Sequence, residues 1–187
     1  MLDIVKNAPV NGLDLVALGE VVDAIGKDPS KAIVEFDVAT RWAGQTRSES
    51  TVTGFTIAGE RIQRSHKVIA DEPCELLGAD GAPNPQELLM SALNACMMVG
   101  YVAGASLRQI NLESIEILTK GKLDLRGFLG LSDDVAPGYE SIDYEVRIKG
   151  DGSAEDFEAI HQTVMKTSPN YFNMSRPIRM NGKLTVY

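Results

Sequence analysis

The sequence predicts an α+β fold in which an antiparallel sheet packs on long central helices. Three observations lead there. Residues 83–107 form a long run with no charged side chain between Leu88 and Ser106. Residues 33–42 alternate between apolar and polar side chains, the period-two pattern of a half-buried antiparallel strand. Strand-like and helix-like stretches follow in blocks, without the regular alternation that builds a parallel sheet.

Taken in order, Asn11 offers a cap for a helix to about Ile25, with Leu15, Val16, Leu18, Val22 and Ile25 inward. Gly26 and Pro29 end it. In the strand 33–42, Val34, Phe36, Val38, Thr40 and Trp42 share one face, and Glu35, Asp37, Ala39 and Arg41 the other. A turn at Gly44 and Gln45 leads to a polar strand over 47–53. Segments 55–57 and 61–69 form a hairpin about Gly59. A loop rich in glycine and proline, residues 71–85, delivers the chain to the central helix, and a loop of that length is usually functional.

The helix from about Gln86 to Leu107 is roughly 33 Å long. It is apolar on nearly all sides and therefore expected to be buried in protein or lipid. Ala92, Cys96, Gly100 and Gly104 recur every fourth residue, so small side chains line one face. Such a face lets another backbone approach closely, and a homodimer contact is the expected use. Beyond the helix, a strand over 112–119 presents Ile115, Ile117 and Thr119. Another presents Ile142, Tyr144, Val146 and Ile148. Ser153 caps a helix with Phe157, Ile160, His161, Val164 and Met165 on one stripe. Pro169 stops it, and a last strand over 179–186 closes the domain.

Bulk properties exclude several functions. The net charge is −8, which argues against nucleic acid, because phosphate binding needs a basic face. Two cysteines make no disulfide framework, and the N-terminus has no export-signal pattern, so a reducing cytoplasm is expected. Ser91, Asn94 and the abundant glycine and alanine argue against a membrane span for residues 86–107. Cys74, Cys96, His66 and His161 are too scattered for a zinc-like cluster, so neither metal nor cofactor is expected. His161 lies on an apolar stripe and reads as a core histidine with a hydrogen-bond partner. His66 lies among Arg61, Arg64 and Lys67 and reads as part of a solvated basic patch. On its helix alone, Cys96 reads as a small apolar residue at a close contact.

The run DEPCELLGADGAPNPQELLMSALNAC over residues 71–96 resembles the OsmC/Ohr family. The spacing from Pro85 to Cys96 fits its pattern of a proline-flanked segment entering a long helix that carries a cysteine. LDLRGFLG over 123–130, followed by Pro137, Gly138 and Tyr139, resembles the OsmC-like subgroup. The resemblance covers residues 31–187 and leaves residues 1–30 as a helical extension. It implies an OsmC-like interlaced homodimer with the long helices at its centre. It also implies a peroxidase that reduces organic hydroperoxides, with Cys96 as the peroxidatic cysteine.

Three positions depart from or test that pattern. The family's resolving cysteine, before a proline in the late helix, corresponds to Ser168, and a hydroxyl forms no disulfide. The family's glutamate after the helix-starting proline corresponds to Gln86. Glu87 comes next but lies about 180° around the helix from Cys96, against about 80° for Gln86. The arginine that the family sets beside the thiol corresponds to Arg47, with Arg41 as second choice.

These positions matter because the thiolate, not the thiol, attacks a peroxide. Cys96 is too far from its helix start for the helix dipole to favour the charged form. With Ser168 unable to resolve the oxidised sulfur, recycling falls to Cys74 in the loop or to an external thiol, and the external thiol is the preferred route. The resulting reading is a single-cysteine thiol peroxidase built on Cys96, Arg47 and Gln86. Its alternative is a non-catalytic binding protein that holds a small apolar ligand in the dimer cleft.

Overall fold

The structure is a computed structural model and describes residues 9–187. Two compact units divide the chain, Met1–Ser91 and Ala92–Tyr187, so the boundary falls inside the central helix. The class is α+β with antiparallel sheets, as the sequence predicts, but the described residues form two sheets, one of four strands and one of two.

The first unit opens with α1, Leu15–Lys27. Its cap is Asp14, whose carboxylate accepts from the Val16 and Ala17 amides at 2.9 and 3.0 Å. The expected cap, Asn11, has φ 51° and is followed by Gly12 at φ 79°. Asn-Gly takes positive φ at both positions readily, so these two residues make the tight turn between Val10 and Leu13 instead. Leu15 is buried, but Val16 and Val22 are exposed, contrary to expectation.

The expected strand 33–42 is broken in two, β1 (Val34–Phe36) and β2 (Ala39–Trp42). Asp37, at the break, turns its carboxylate to the Arg61 guanidinium. Both pieces pair antiparallel with β3 (Ser48–Ile57), which also pairs with β4 (Glu60–Ala70). The two segments expected over 47–57 are thus one strand, with a register shift at Thr53 between Val52 and Gly54. The apolar side of β1 and β2 is not half-buried: Phe36 is 68% and Trp42 79% exposed. Alternation shows that a face seeks an apolar partner; it does not identify the partner.

The second unit is built on α2, Pro85–Leu107, which runs into it from the first. Leu93, Met97, Tyr101 and Ala105 on α2 form its core with Ile160 and Val164. The latter two lie on α4, Ala154–Thr167, capped by Ser153 in a reciprocal box with Asp156. The antiparallel pair β5 (Leu112–Gly121) and β6 (Ile142–Gly150) turns Ile115, Ile117, Tyr144, Val146 and Ile148 onto that core, as the sequence expects. A short α3, Leu125–Phe128, lies in the loop between them. Asn94, the polar interruption in α2, donates to the Ile117 carbonyl at 3.2 Å and accepts from Thr119.

The small-residue stripe has a different partner from the one expected. A Cβ on Gly100 would stand 3.0 Å from Val164 Cγ2, and one on Gly104 would stand 3.0 Å from Ile160 Cγ2. The stripe therefore receives α4 of the same chain. Four-residue spacing specifies a close approach without saying which element approaches. The opposite expectation, burial on nearly all sides, does not hold within the chain, since Val99 is 69% exposed. Among the described residues, α2 is the one helix long and apolar enough to cross a membrane.

After α4 the chain forms a short α5, Pro169–Met174. The expected last strand over 179–186 is absent. Met180, Leu184 and Val186 are exposed there. A strand needs a neighbouring edge to bond, and apolar alternation alone does not supply one.

Candidate active site at Cys96

The seam between α2 and α4 continues into the site. Gly104 faces Ile160, Gly100 faces Val164, and one helical turn further Cys96 faces Ser168. Pro169 cannot extend α4, so the chain bends at Ser168 and restarts as α5. Ser168 serves both ends. Its amide donates to the Val164 carbonyl at 2.8 Å, and its hydroxyl oxygen accepts from the Tyr171 amide at 3.4 Å. It is buried, with 5% of its surface exposed.

Two donors reach the sulfur. The Ser168 hydroxyl donates to Cys96 Sγ at 3.4 Å and the Asn170 amide donates at 3.5 Å. The Asn170 side chain ties α5 to α2 by donating to the Ala92 carbonyl at 2.8 Å. Cys96 itself is half-buried, so the sulfur is enclosed without being sealed off.

Gln86, the second residue of α2, is half-buried. Glu87 is committed elsewhere. It accepts from the Asn84 amide at 2.8 Å, and its own amide donates to the Asn84 side chain at 2.9 Å. This is a capping box around Pro85, signalled in the sequence by Asn-Pro-Gln-Glu and missed there. Glu87 thus anchors the start of α2.

Arg47 lies in the first unit and its guanidinium donates to Glu49 at 3.3 Å. Arg41 is exposed on β2, opposite Glu49 across the ladder. Cys74 is exposed at the start of a single 3-10 turn, Cys74–Leu76.

The loop 71–85 is organised by Asp71, which sequence reasoning passed over. Asp71 is 2% exposed, and its carboxylate accepts from Thr46 Oγ1 and from the amides of Glu72, Ala79 and Gly81 at 2.8–3.3 Å. The Thr46 hydroxyl and then these amides hold the Asp71 carboxyl below its ordinary range. A depressed carboxyl contributes stability above its unfolded pKa of about 3.9 and loses it as pH falls through the folded value. Asp71→Asn should therefore be less stable than the parent at neutral pH, with the gap narrowing below about pH 4. Urea midpoints at pH 7 and pH 3 measure this, and a gap that stays constant would count against it.

His161 is the core histidine expected. Its Nδ1 pairs with the Tyr101 hydroxyl, and the two rings stack at 6.0 Å. Burial pushes the Tyr101 phenol upward, so it stays protonated.

The profile of the OsmC-like protein family matches residues 78–182, more than half of the chain. The chain belongs to the OsmC-like family. Its fold is shared by an OsmC-like protein from Mycoplasma pneumoniae, 15% identical, with a TM-score of 0.59 over 75% of this chain and 87% of that one. An OsmC-like protein of unknown function from Vibrio cholerae is 13% identical, with a TM-score of 0.55 over 74% and 92%. An organic hydroperoxide resistance protein OsmC from Legionella pneumophila is 17% identical, with a TM-score of 0.46 over 74% and 89%. Among proteins with curated descriptions, none matches the sequence. In this OsmC-like protein the Ser168 hydroxyl and the Asn170 amide both touch Cys96.

Proposed function

We propose that this OsmC-like protein is a cysteine-dependent thiol peroxidase that reduces organic hydroperoxides. The observation that supports this most is the pair of donors on the Cys96 sulfur. Cys96 is the nucleophile. Arg47 supplies positive charge to the thiolate, and Gln86 supplies a polar neighbour in place of the family's glutamate.

The thiolate attacks the terminal peroxide oxygen and the O–O bond breaks. The leaving alkoxide takes up the proton that the thiol lost, giving an alcohol and a sulfenic acid on Cys96. An external thiol then attacks the sulfenic sulfur, releasing water and leaving a mixed disulfide. A second thiol attacks that disulfide, frees Cys96 and departs as the oxidised reductant. Both steps suit a reducing cytoplasm. Cys74 as an internal partner is the alternative to the first external thiol.

The working form in this proposal is a homodimer. The exposed Phe36 and Trp42, the exposed Val99 on α2 and the apolar residues after Ile178 are surfaces that a second copy would cover. An interlaced interface would bury more than about 2,000 Å² in all, and sedimentation of a compact monomer at micromolar concentration would reject it.

The catalytic test is consumption of an organic hydroperoxide with a small thiol as reductant. The parent should turn over and Cys96→Ser should fall to background. One equivalent of hydroperoxide without thiol should add one oxygen to Cys96 by mass spectrometry. Loss of two hydrogens, with Cys74 and Cys96 joined in one peptide pair, would assign recycling to Cys74. No consumption by the parent protein would favour the ligand-binding alternative on the same scaffold.

A further inference from the structure

We infer that Ser168 is a positioning residue that sets the thiolate population of Cys96, a role a resolving thiol at that place does not have. The inference deepens the peroxidase reading and rests on Cys96 being its nucleophile. It comes from counting protons at the junction of α4 and α5. The Ser168 hydroxyl oxygen already accepts from the Tyr171 amide. Its own proton points to Cys96 Sγ, and the Asn170 amide points there too.

With a thiolate, every proton has a charged or polar acceptor. The Tyr171 amide has the hydroxyl oxygen, and the hydroxyl and the Asn170 amide have the sulfur. With a neutral thiol one proton loses its place. If S–H donates to the hydroxyl oxygen, the O–H is left without its acceptor. If S–H turns away, both donors meet a weak neutral sulfur. Ser168 is too buried for water to make up the difference freely. The hydroxyl cannot rotate toward the Tyr171 amide, because that amide is itself a donor. The arrangement therefore selects the charged sulfur, and it does so from a residue that never becomes bonded to it.

The hydroxyl is held by the backbone on both sides. Ser168 follows the last turn of α4, through Val164, and begins α5, through Tyr171. Its distance to the sulfur is set by the seam between α2 and α4. The position thus behaves as a fixed donor.

The experiment measures the alkylation rate of Cys96 by iodoacetamide from about pH 5 to 10, in a Cys74→Ser background so that one thiol reports. No peroxide is present. The expected result is that Ser168→Ala raises the midpoint by about one pH unit, a tenfold loss of thiolate below it. Ser168→Thr, which keeps the hydroxyl, should return the midpoint close to the parent value. Ser168→Asp keeps a strong cap acceptor for α5 but puts a negative charge at the sulfur, and it should raise the midpoint further than alanine. Circular dichroism establishes that each variant is folded. If alanine at 168 unfolds the protein, the aspartate variant decides. An unchanged midpoint in a folded alanine or aspartate variant overturns the inference. Hydroperoxide consumption is followed separately. Variants that show these midpoint shifts, beside a parent that consumes no hydroperoxide, would sink the peroxidase reading and leave the role of Ser168 standing.

Discussion

Ser168→Cys should switch the product of oxidation from a sulfenic acid to an internal disulfide. The Ser168 oxygen is 3.4 Å from Cys96 Sγ, and a disulfide needs two sulfurs about 2.05 Å apart. A thiol at 168 therefore has to close by little more than 1 Å, less than a side-chain torsion provides. The backbone is favourable too, because α2 and α4 are already held together through Gly100 and Gly104. On adding one equivalent of hydroperoxide to the reduced variant, Cys96 first gains an oxygen. The new thiol then attacks the sulfenic sulfur and water leaves. The variant should show a loss of two hydrogens and a peptide joining residues 96 and 168, where the parent gains one oxygen. Without external thiol it should stop after one turnover, as the parent does, but in a form that a dithiol reductant restores quickly. A variant that accumulates sulfenic or sulfinic acid on Cys96 instead would show that the 96–168 contact is not positioned for exchange.

Gly100→Leu should cost more stability than any surface change in the second unit. A Cβ alone at this position meets Val164 at 3.0 Å, so alanine is tolerated only if Val164 yields by a few tenths of an ångström. Alanine also gains about 1 kcal/mol of helix propensity over glycine, and the two effects largely offset. Leucine has three further carbons directed into α4, where Val164 and Ile160 are fully buried. Overpacking a core usually costs about 1–3 kcal/mol, and here the strain falls on a helix–helix seam that cannot relax without parting. Against a typical total of about 5–15 kcal/mol this is a large fraction. The urea midpoint should fall clearly. The exposed Gln162→Leu on α4 serves as the comparison and should change it little. Parting the seam should also draw Ser168 and Asn170 away from the sulfur, so the rate of iodoacetamide labelling at Cys96 should change. Equal urea midpoints for the two leucine variants would refute the packing argument.

The second unit was the more legible half. Its strands alternate over nine and ten residues and its helix α4 has a clean apolar stripe, so local periodicity alone assigns Ile115, Ile117, Tyr144, Val146, Ile148, Ile160 and Val164 to a core. In the first unit, Asn11 looked like the cap of α1, but Asn-Gly takes positive φ and forms a tight turn, and the cap is Asp14, three residues on. At the break, Asp37 pairs with Arg61, a residue 24 positions away, and β3 shifts register opposite it, neither of which a local pattern reports. The Asn84–Glu87 box was present in the sequence and overlooked.

By itself, then, the sequence determined the α+β class, the central helix with its small-residue stripe, and the family resemblance that singles out Cys96 and Ser168. Each of these is written in spacing along one segment, where backbone geometry converts position into direction. Only the tertiary structure decided what meets what. It seated α4 on Gly100 and Gly104, set the Ser168 hydroxyl and Asn170 amide on the sulfur, closed the loop around Asp71 and left residues 179–186 without a strand. Those outcomes depend on which distant surfaces fit at van der Waals distance and which donors find acceptors, and a periodic pattern states the demand for a partner without naming it.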